Sequence, residues 1–212
     1  MRSVKIKEVI DALERFAPLP LQESYDNAGL QVGLTEAEVS GALLCLDVTE
    51  RVVDEAITKG CNLIVAHHPL IFRKLSQVTD ANYVQRTVIK AIKNDIVIVA
   101  MHTNLDAAFG GVNFKIAEKL RLRDVRFFGR EKVVTNPLTD KKVTGGDGVI
   151  GCFDTPLAAD DLILLLKKEF DVECVQANEL LRREIRTVAL CGGSGSFLLQ
   201  DAINAGADAF IT

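Results

Sequence analysis

The three histidines of this sequence are its strongest candidates for metal binding or catalysis, because of their side-chain type and their spacing. His67 and His68 end an apolar run over residues 62–66, and His102 ends the next apolar run, four residues before Asp106. Imidazole and carboxylate groups bind zinc, manganese, iron, cobalt or nickel and discriminate poorly among them. Adjacent side chains on an extended backbone point to opposite faces. His67 and His68 therefore suit two neighbouring ions, which Asp106 can bridge and which together activate water.

The histidines also have a structural explanation. His67 and His68 could cap a strand and hydrogen-bond to neighbouring loops. We favour the metal interpretation because this pair at one strand end is matched by Asp106 after the next strand. His102 is a candidate catalytic base, although it could instead support the ligands or have only a structural role.

Alternating strands and helices must position these residues. Apolar runs rich in Ile and Val predict buried strands of a parallel sheet, and the segments between them show helical spacing. Strands are predicted over residues 42–46, 62–66, 96–100, 149–153, 172–176, 187–191 and 209–212, and helices over 4–16, 47–57, 82–93, 112–120, 157–170 and 197–206. Ligands gather beyond the carboxyl ends of such strands. The sequence therefore predicts an α/β fold with mostly parallel sheets and a site at His67, His68 and Asp106.

Two lobes built alike are predicted. The first α/β lobe covers residues 1–134, a polar loop covers 135–148, and a second lobe covers 149–212. Shifting the chain by 146 positions places identical residues at 44 and 190, 45 and 191, 56 and 202, 57 and 203, and 60 and 206. Shared ancestry and shared fold constraints both explain this. In that register the chain ends at Thr212, where a counterpart of His67 would follow, so the second lobe is expected to be truncated.

Composition limits the class of protein. The chain has 212 residues, 48% of them hydrophobic and 25% charged, with a net charge of -4. These values predict a soluble globular protein and disfavour nucleic-acid binding. No apolar stretch approaches the roughly 18 residues of a membrane span, and the N-terminus does not resemble a signal peptide, so we expect a cytoplasmic protein. The five cysteines form no C-x-x-C pair, which favours reduced thiols.

A glycine-rich turn and two aspartates are weaker candidates. Gly193, Ser194 and Gly195 precede a helix and could bind an anion such as phosphate through backbone N–H groups. The turn lacks the lysine of a P-loop, and a tight strand-to-helix turn explains it equally well. Asp47 could orient a ligand or only cap a helix. Asp26 could line the site or only form a turn.

Six segments together resemble the Nif-three-like family of dinuclear-metal proteins. They are Tyr25-Asp26-Asn27-Ala28-Gly29-Leu30, Leu46-Asp47-Val48-Thr49, His67-His68-Pro69-Leu70-Ile71-Phe72, His102-Thr103-Asn104-Leu105-Asp106, Gly110-Gly111-Val112-Asn113 and Gly192-Gly193-Ser194-Gly195-Ser196. The resemblance covers nearly the whole chain. It implies a two-lobed α/β fold, a toroidal homohexamer and two divalent transition-metal ions. Members often carry the label GTP cyclohydrolase type-two-like.

Site residues carry over position by position. His67, His68 and Asp106 match metal-ligand positions of the family, and Asp47 and Asn104 are expected to support the ligands. Tyr25 replaces the tryptophan usual in the family. The family's last two ligands, a histidine and a glutamate, have no counterpart before the chain ends, and the family's inserted domain is represented only by the stretch 135–148. We therefore expect the two ions (Zn, Mn, Fe, Co or Ni) to be under-occupied in this chain.

Two function hypotheses follow. The first is a metal-dependent hydrolase that acts on a nucleotide or a related small molecule. The alternative is a non-enzymatic, metal-stabilised ring assembly with a regulatory or protein-binding role. A third hypothesis, a nucleotide-binding α/β domain without metal, would gain if His67→Ala and Asp106→Ala left the metal content unchanged.

Overall fold

The computed structural model describes residues 3–179 and 183–212 and confirms the predicted α/β fold. Eight strands form two four-stranded sheets. The strands are β1 (Gly29–Val32), β2 (Ala42–Cys45), β3 (Leu63–Ala66), β4 (Val97–Ala100), β5 (Arg123–Thr135), β6 (Lys142–Leu157), β7 (Ile185–Leu190) and β8 (Ala209–Ile211). The helices are α1 (Ile6–Phe16), α2 (Glu50–Thr58), α3 (Tyr83–Lys93), α4 (Thr103–Ala107), α5 (Val112–Lys119), α6 (Ala159–Phe170) and α7 (Leu199–Asn204). Among the described residues, every helix is too short or too polar to span a bilayer.

The first compact unit contains the described residues up to Leu105 together with Val134–Val143. Its sheet has the order β1-β4-β3-β2, in which β2, β3 and β4 are parallel and β1 is antiparallel to β4. Ile64 and Ile98 are fully buried in its core. Because β3 and β4 run side by side in the same direction, the residues that follow them emerge at one edge of the sheet.

Local signals set the ends of the helices in this unit. The Thr49 side chain accepts a hydrogen bond from the backbone N–H of Val52 and so caps the start of α2. Asn82 caps α3 in the same way. Gly60 follows α2 with a φ of +66°, a conformation that glycine adopts without steric cost.

The second compact unit contains Asp106–Val133 and the described residues of Thr144–Thr212. Its sheet has the order β5-β6-β7-β8, with β6 antiparallel to β7 and β7 parallel to β8. Leu120, Val149, Val188 and Leu190 are buried in its core. The division between the units thus falls at Leu105, earlier than the predicted end of the first lobe at 134.

The loop predicted over residues 135–148 is shorter in the structure. Strand β6 begins at Lys142, which leaves only residues 136–141 as a turn, closed by a hydrogen bond from the Asn136 N–H to the Lys141 carbonyl (2.8 Å). Gly146 lies inside β6, where an added Cβ would come within 2.7 Å of the Phe127 ring. Glycine at this position permits close packing of an aromatic ring. From sequence alone, a glycine needed for packing could not be distinguished from a glycine in a flexible loop.

The strand predicted over residues 172–176 is wrong. Helix α6 ends at Phe170, its C-cap Asp171 has a left-handed conformation (φ 52°), and residues 172–176 form no strand. Val172, which suggested a strand, is exposed rather than buried in a sheet. The apolar residues here are too few to complete a buried strand.

The two β-α-β units are built alike, as the sequence shift of 146 predicts. Leu43 pairs with Ile64 between β2 and β3, and Ala189 pairs with Phe210 between β7 and β8, which are the same positions after the shift. The helix ends also match. Cys61 N–H donates to the Ala56 carbonyl (2.9 Å), and the equivalent bond from Ala207 to Ala202 measures 3.0 Å. The Asn62 side chain accepts from the Ser40 N–H (2.9 Å), as Asp208 accepts from the Arg186 N–H (3.0 Å).

Candidate metal centre

The parallel pairing of β3 and β4 brings the three histidines together. Beyond β3 the backbone continues alongside β2, with hydrogen bonds from the His67 N–H to Cys45 (3.1 Å) and from the His68 N–H to Leu46 (2.9 Å). The three ring centroids are 5.0, 5.2 and 5.5 Å apart. One ring nitrogen from each of His67, His68 and His102 lies within 4.8 Å of the other two.

Oxygen acceptors fix the rings of the first two histidines. Nδ1 of His67 donates to the backbone carbonyl of Met101 (2.9 Å). Nδ1 of His68 lies 2.8 Å from a carboxylate oxygen of Asp47. An acceptor at Nδ1 favours the tautomer that carries the hydrogen there, so the lone pair of the neutral ring is on Nε2. Asp47, predicted to support a ligand, thus contacts His68 directly.

Asp26 holds the third histidine. One of its carboxylate oxygens accepts from Nδ1 of His102 (2.8 Å) and from the Asn27 N–H (2.7 Å). The other accepts from the N–H of Thr103 (3.1 Å) and from its hydroxyl. The Asp26 side chain is 0% exposed. Burial alone would raise the pKa of this carboxyl, but the hydrogen bonds from His102, Thr103 and Asn27 outweigh it and lower the pKa to about 2.

Asn104 fixes the backbone beneath His102. Its side-chain oxygen accepts from the His102 N–H (3.0 Å), and its Nδ2 donates to the carbonyl of Ala17 (2.7 Å). Asn104 is fully buried, so both contacts are shielded from water. The residue predicted to support the site therefore links the end of β4 to the end of α1.

The donor set fits a transition-metal ion of the imidazole-binding kind. Each of the three histidines has an oxygen acceptor at Nδ1, which is the usual arrangement behind metal-ligating histidines. Such a partner orients the ring and increases the basicity of Nε2. Converging imidazole nitrogens are donors that zinc, iron, cobalt or nickel accept.

Asp106 is the first residue of the second unit. Its backbone carbonyl accepts a hydrogen bond from Nδ2 of Asn113 (3.1 Å). The role of its carboxylate as a metal ligand stays a prediction. The metal-ligating roles of His67 and His68 and the catalytic role of His102 likewise stay predictions, although the structure brings these three side chains together.

The glycine-rich turn is held by bonds within its own unit. The Gly192 N–H donates to Oδ1 of Asn113 (2.7 Å), and the Gly195 N–H donates to Oγ1 of Thr212 (2.7 Å). The α-helix that follows, α7, has only six residues. These contacts favour the tight-turn explanation, and anion binding by Gly193, Ser194 and Gly195 stays a prediction.

Two aromatic side chains beside the cluster were not identified from sequence as site residues. The Phe72 ring lies 6.3 Å from the His102 ring at an interplanar angle of 83°. The Tyr25 ring lies 6.5 Å from Phe72 at 59°. Both side chains are exposed. The available signal was their position at the ends of two motifs, next to Asp26 and after His67-His68.

Comparisons with known proteins agree with this architecture. The model of the family Duf34/NIF3 (NGG1p interacting factor 3) matches residues 4–212. A Clostridium acetobutylicum protein named GTP cyclohydrolase 1 type 2 homolog is 33% identical over 211 residues, covering 99% of this chain and 76% of that protein. A Clostridium perfringens protein of the same name is 34% identical over 209 residues, covering 99% and 77%.

A solved structure is similar over the same length. The Staphylococcus aureus hypothetical protein SA1388 superposes with a TM-score of 0.86 at 30% identity, covering 99% of this chain and 78% of that chain. Sequence and structure comparisons thus extend over the histidine cluster and both sheets. The chain belongs to the Duf34/NIF3 (NGG1p interacting factor 3) family.

Proposed function

We propose that this chain is a dinuclear metal-binding protein and a metal-dependent hydrolase that acts on a nucleotide or a related small molecule. The observation that carries the proposal is the cluster of His67, His68 and His102, in which each Nδ1 has an oxygen acceptor. The relatives named GTP cyclohydrolase 1 type 2 homolog support a nucleotide as the substrate.

His67 and His68, together with Asp106, are the residues that would hold the ions. Their imidazole and carboxylate donors suit zinc, manganese, iron, cobalt or nickel. When bound, such ions supply Lewis-acid catalysis and activate water for hydrolysis.

His102 is the residue that would carry protons. The buried carboxylate of Asp26 orients its ring through the hydrogen bond at Nδ1. Nε2 then accepts a proton from water and returns it to the leaving group. Asp26 acts through His102 and is therefore a positioning residue.

A ring-shaped homohexamer is the assembly that we propose. It is supported by the family resemblance and by apolar side chains exposed on the edge strand β2 and just after it. Leu44 is 75% exposed, and Leu46 is also exposed. If the ring has no turnover, the same exposed apolar surface favours the second candidate function, a metal-stabilised assembly that binds other proteins. Light scattering of the purified chain gives the number of subunits.

Metal analysis of matched variants tests the site. We expect His67→Ala and Asp106→Asn to lose bound metal relative to the parent, whereas Asp154→Asn, an exposed aspartate in the second unit, keeps it. His102→Gln should keep the metal and lose turnover of nucleotides such as GTP. Equal metal content in the parent and His67→Ala would overturn the metal site.

Turnover is a separate measurement. A chelator should abolish hydrolysis by the parent, and added zinc or manganese should restore it. Hydrolysis that survives complete removal of metal contradicts the proposed mechanism. Metal binding without turnover on any nucleotide tested replaces the hydrolase with the assembly.

A further inference from the structure

The exposed aromatic pair beside the histidine cluster, Tyr25 and Phe72, is not among the residues assigned above to metal binding or proton transfer. Tyr25 is 65% exposed and Phe72 is 47% exposed, although both are large apolar side chains. The centroids of their rings lie 6.5 Å apart, and the Phe72 ring is nearly perpendicular to the His102 ring, with centroids 6.3 Å apart. The pair is therefore continuous with the cluster. A ligand bound at the histidines can therefore also contact these two rings.

Hydrogen bonds fix the two loops that carry the pair. Nδ2 of Asn27 donates to the carbonyl of Ile71 (2.6 Å), and the Ile71 N–H donates to Oε1 of Gln31 (3.1 Å). Asp26, the neighbour of Tyr25, is fully buried and bonded to His102. Both rings thus sit next to residues whose positions are set by the site itself. Ordering them costs little when a ligand binds.

We propose that Tyr25 and Phe72 form a stacking platform for the flat heteroaromatic ring of the substrate. The proposal rests on the function proposed above and assigns its substrate class: a nucleotide or a similar compound whose planar base lies on these rings while its reactive part reaches the cluster. The tilt of 59° between the two rings leaves an open angle rather than a sandwich. A flat ring can lie on the face of one aromatic and meet the edge of the other, which is a favourable geometry for aromatic contacts.

A stacking role explains why these two large aromatic rings are exposed rather than buried in the core. Every nucleobase has a flat π-face, so an exposed aromatic ring binds bases with little dependence on their hydrogen-bonding edges. An acyl chain would not need two oriented rings. The platform therefore selects for a planar ring and leaves discrimination between bases to other groups.

Two probes separate the ring from the rest of a nucleotide. Guanosine monophosphate and ribose 5-phosphate share the sugar and the phosphate, so any contact of the phosphate with metal or protein is common to both. We expect calorimetric titration to show tighter binding of guanosine monophosphate. Equal affinities of the parent protein for the two probes, or no detectable binding of guanosine monophosphate at millimolar concentration, would overturn the proposal.

Substitutions then assign the difference to the platform. Tyr25→Ala and Phe72→Ala should each weaken binding of guanosine monophosphate by roughly 5- to 150-fold and leave binding of ribose 5-phosphate unchanged. Tyr25→Trp should retain binding because the ring face is kept. Tyr83→Ala is the matched control, since Tyr83 is similarly exposed (56%) at the start of α3. Alanine variants that bind like the control contradict the platform.

Failure of the metal site is distinguishable from failure of the platform. His67→Ala should lower the affinity for both probes by the same factor and preserve their ratio, because the ring does not depend on the metal. Light scattering of Tyr25→Ala and Phe72→Ala tests the alternative that the exposed rings form a contact between subunits. If these variants change the number of subunits but not the affinity for guanosine monophosphate, the pair is a subunit contact and the proposal is wrong.

Discussion

Replacing Asp26 with asparagine isolates the electrostatic contribution of the pair formed with His102. The two side chains have nearly the same shape, but one carboxylate oxygen becomes an NH₂ group. Each oxygen of Asp26 accepts from two donors, on His102 and Asn27 at one side and on Thr103 at the other. Whichever way the new amide turns, its NH₂ group faces hydrogen-bond donors of the neighbouring residues. This mismatch lies at a side-chain position that is fully buried. The variant should therefore be less stable and should hold His102 less firmly.

The lowered pKa of Asp26 gives the size of its contribution to the stability of the folded state. A carboxyl with an ordinary pKa of 3.8 and a folded pKa of about 2 stabilises the folded state by about 2 kcal/mol when it is ionised. Because the folded pKa is the lower one, this contribution is fully present above about pH 4 and is lost as the pH falls through about 2. At pH 3 roughly half of it remains. Asp26→Asn lacks the contribution at every pH.

Urea unfolding of the parent and Asp26→Asn at pH 7, 5 and 3 measures the effect. We expect Asp26→Asn to lower the unfolding free energy by at least about 2 kcal/mol at pH 7 and 5, and the difference from the parent to narrow by about 1 kcal/mol at pH 3. The part that does not change with pH is the cost of the misplaced NH₂ group. Asp47→Asn is the control, because the Asp47 carboxylate is mostly exposed and its contact with the site is the one to His68; its effect should stay within about 0.5 kcal/mol. A difference for Asp26→Asn that is independent of pH would refute the electrostatic reasoning.

Three further substitutions or reactions test other parts of the structure. Asn104→Ala should lower the free energy of unfolding by about 2–4 kcal/mol because it leaves two buried backbone groups without their partner, whereas the exposed Asn94→Ala should cost under about 1 kcal/mol; equal urea midpoints would contradict this. Cys191 is buried, and burial together with two nearby carboxylates raises the pKa of its thiol to about 11, so it should resist a thiol reagent at pH 8 that labels the exposed Cys174 rapidly. Gly148→Ala should lower the melting temperature because its Cβ would lie 2.8 Å from a backbone oxygen of β7, and an unchanged melting temperature would show that β6 can move away.

The part of the site that depends on strand ends could be predicted from sequence. His67, His68 and His102 directly follow apolar runs, and parallel strands direct their carboxyl ends to one edge of a sheet. Neighbouring strands therefore had to bring these histidines close together. The sequence also contained the caps of helices such as α2, because Thr49 needs only its own neighbours to accept a hydrogen bond.

Contacts between distant segments could not be predicted in the same way. Asp26 is 76 residues from His102 in sequence, and an aspartate near a glycine is typical of a turn, so nothing local distinguished a buried partner from a turn residue. Residues 149–153 of β6 were predicted as a strand, but β5 and the start of β6 were missed for a related reason. Their polar and glycine residues look like a loop until the packing of Phe127 against Gly146 is known.

The internal repeat shows why the framework alone does not determine the chemistry. Both β-α-β units share strand register and helix-end hydrogen bonds, yet the position of Asp47 is occupied by Gly193 in the second unit, and that of Thr49 by Gly195. The first unit has a carboxylate that holds His68, whereas the second has a backbone turn without a side chain at that point. Function therefore depends on side chains added to the ends of a common scaffold. Because Asp47 can be changed without altering the strands, Asp47→Gly should leave the fold intact while loosening His68, so metal content rather than stability is the property that would respond.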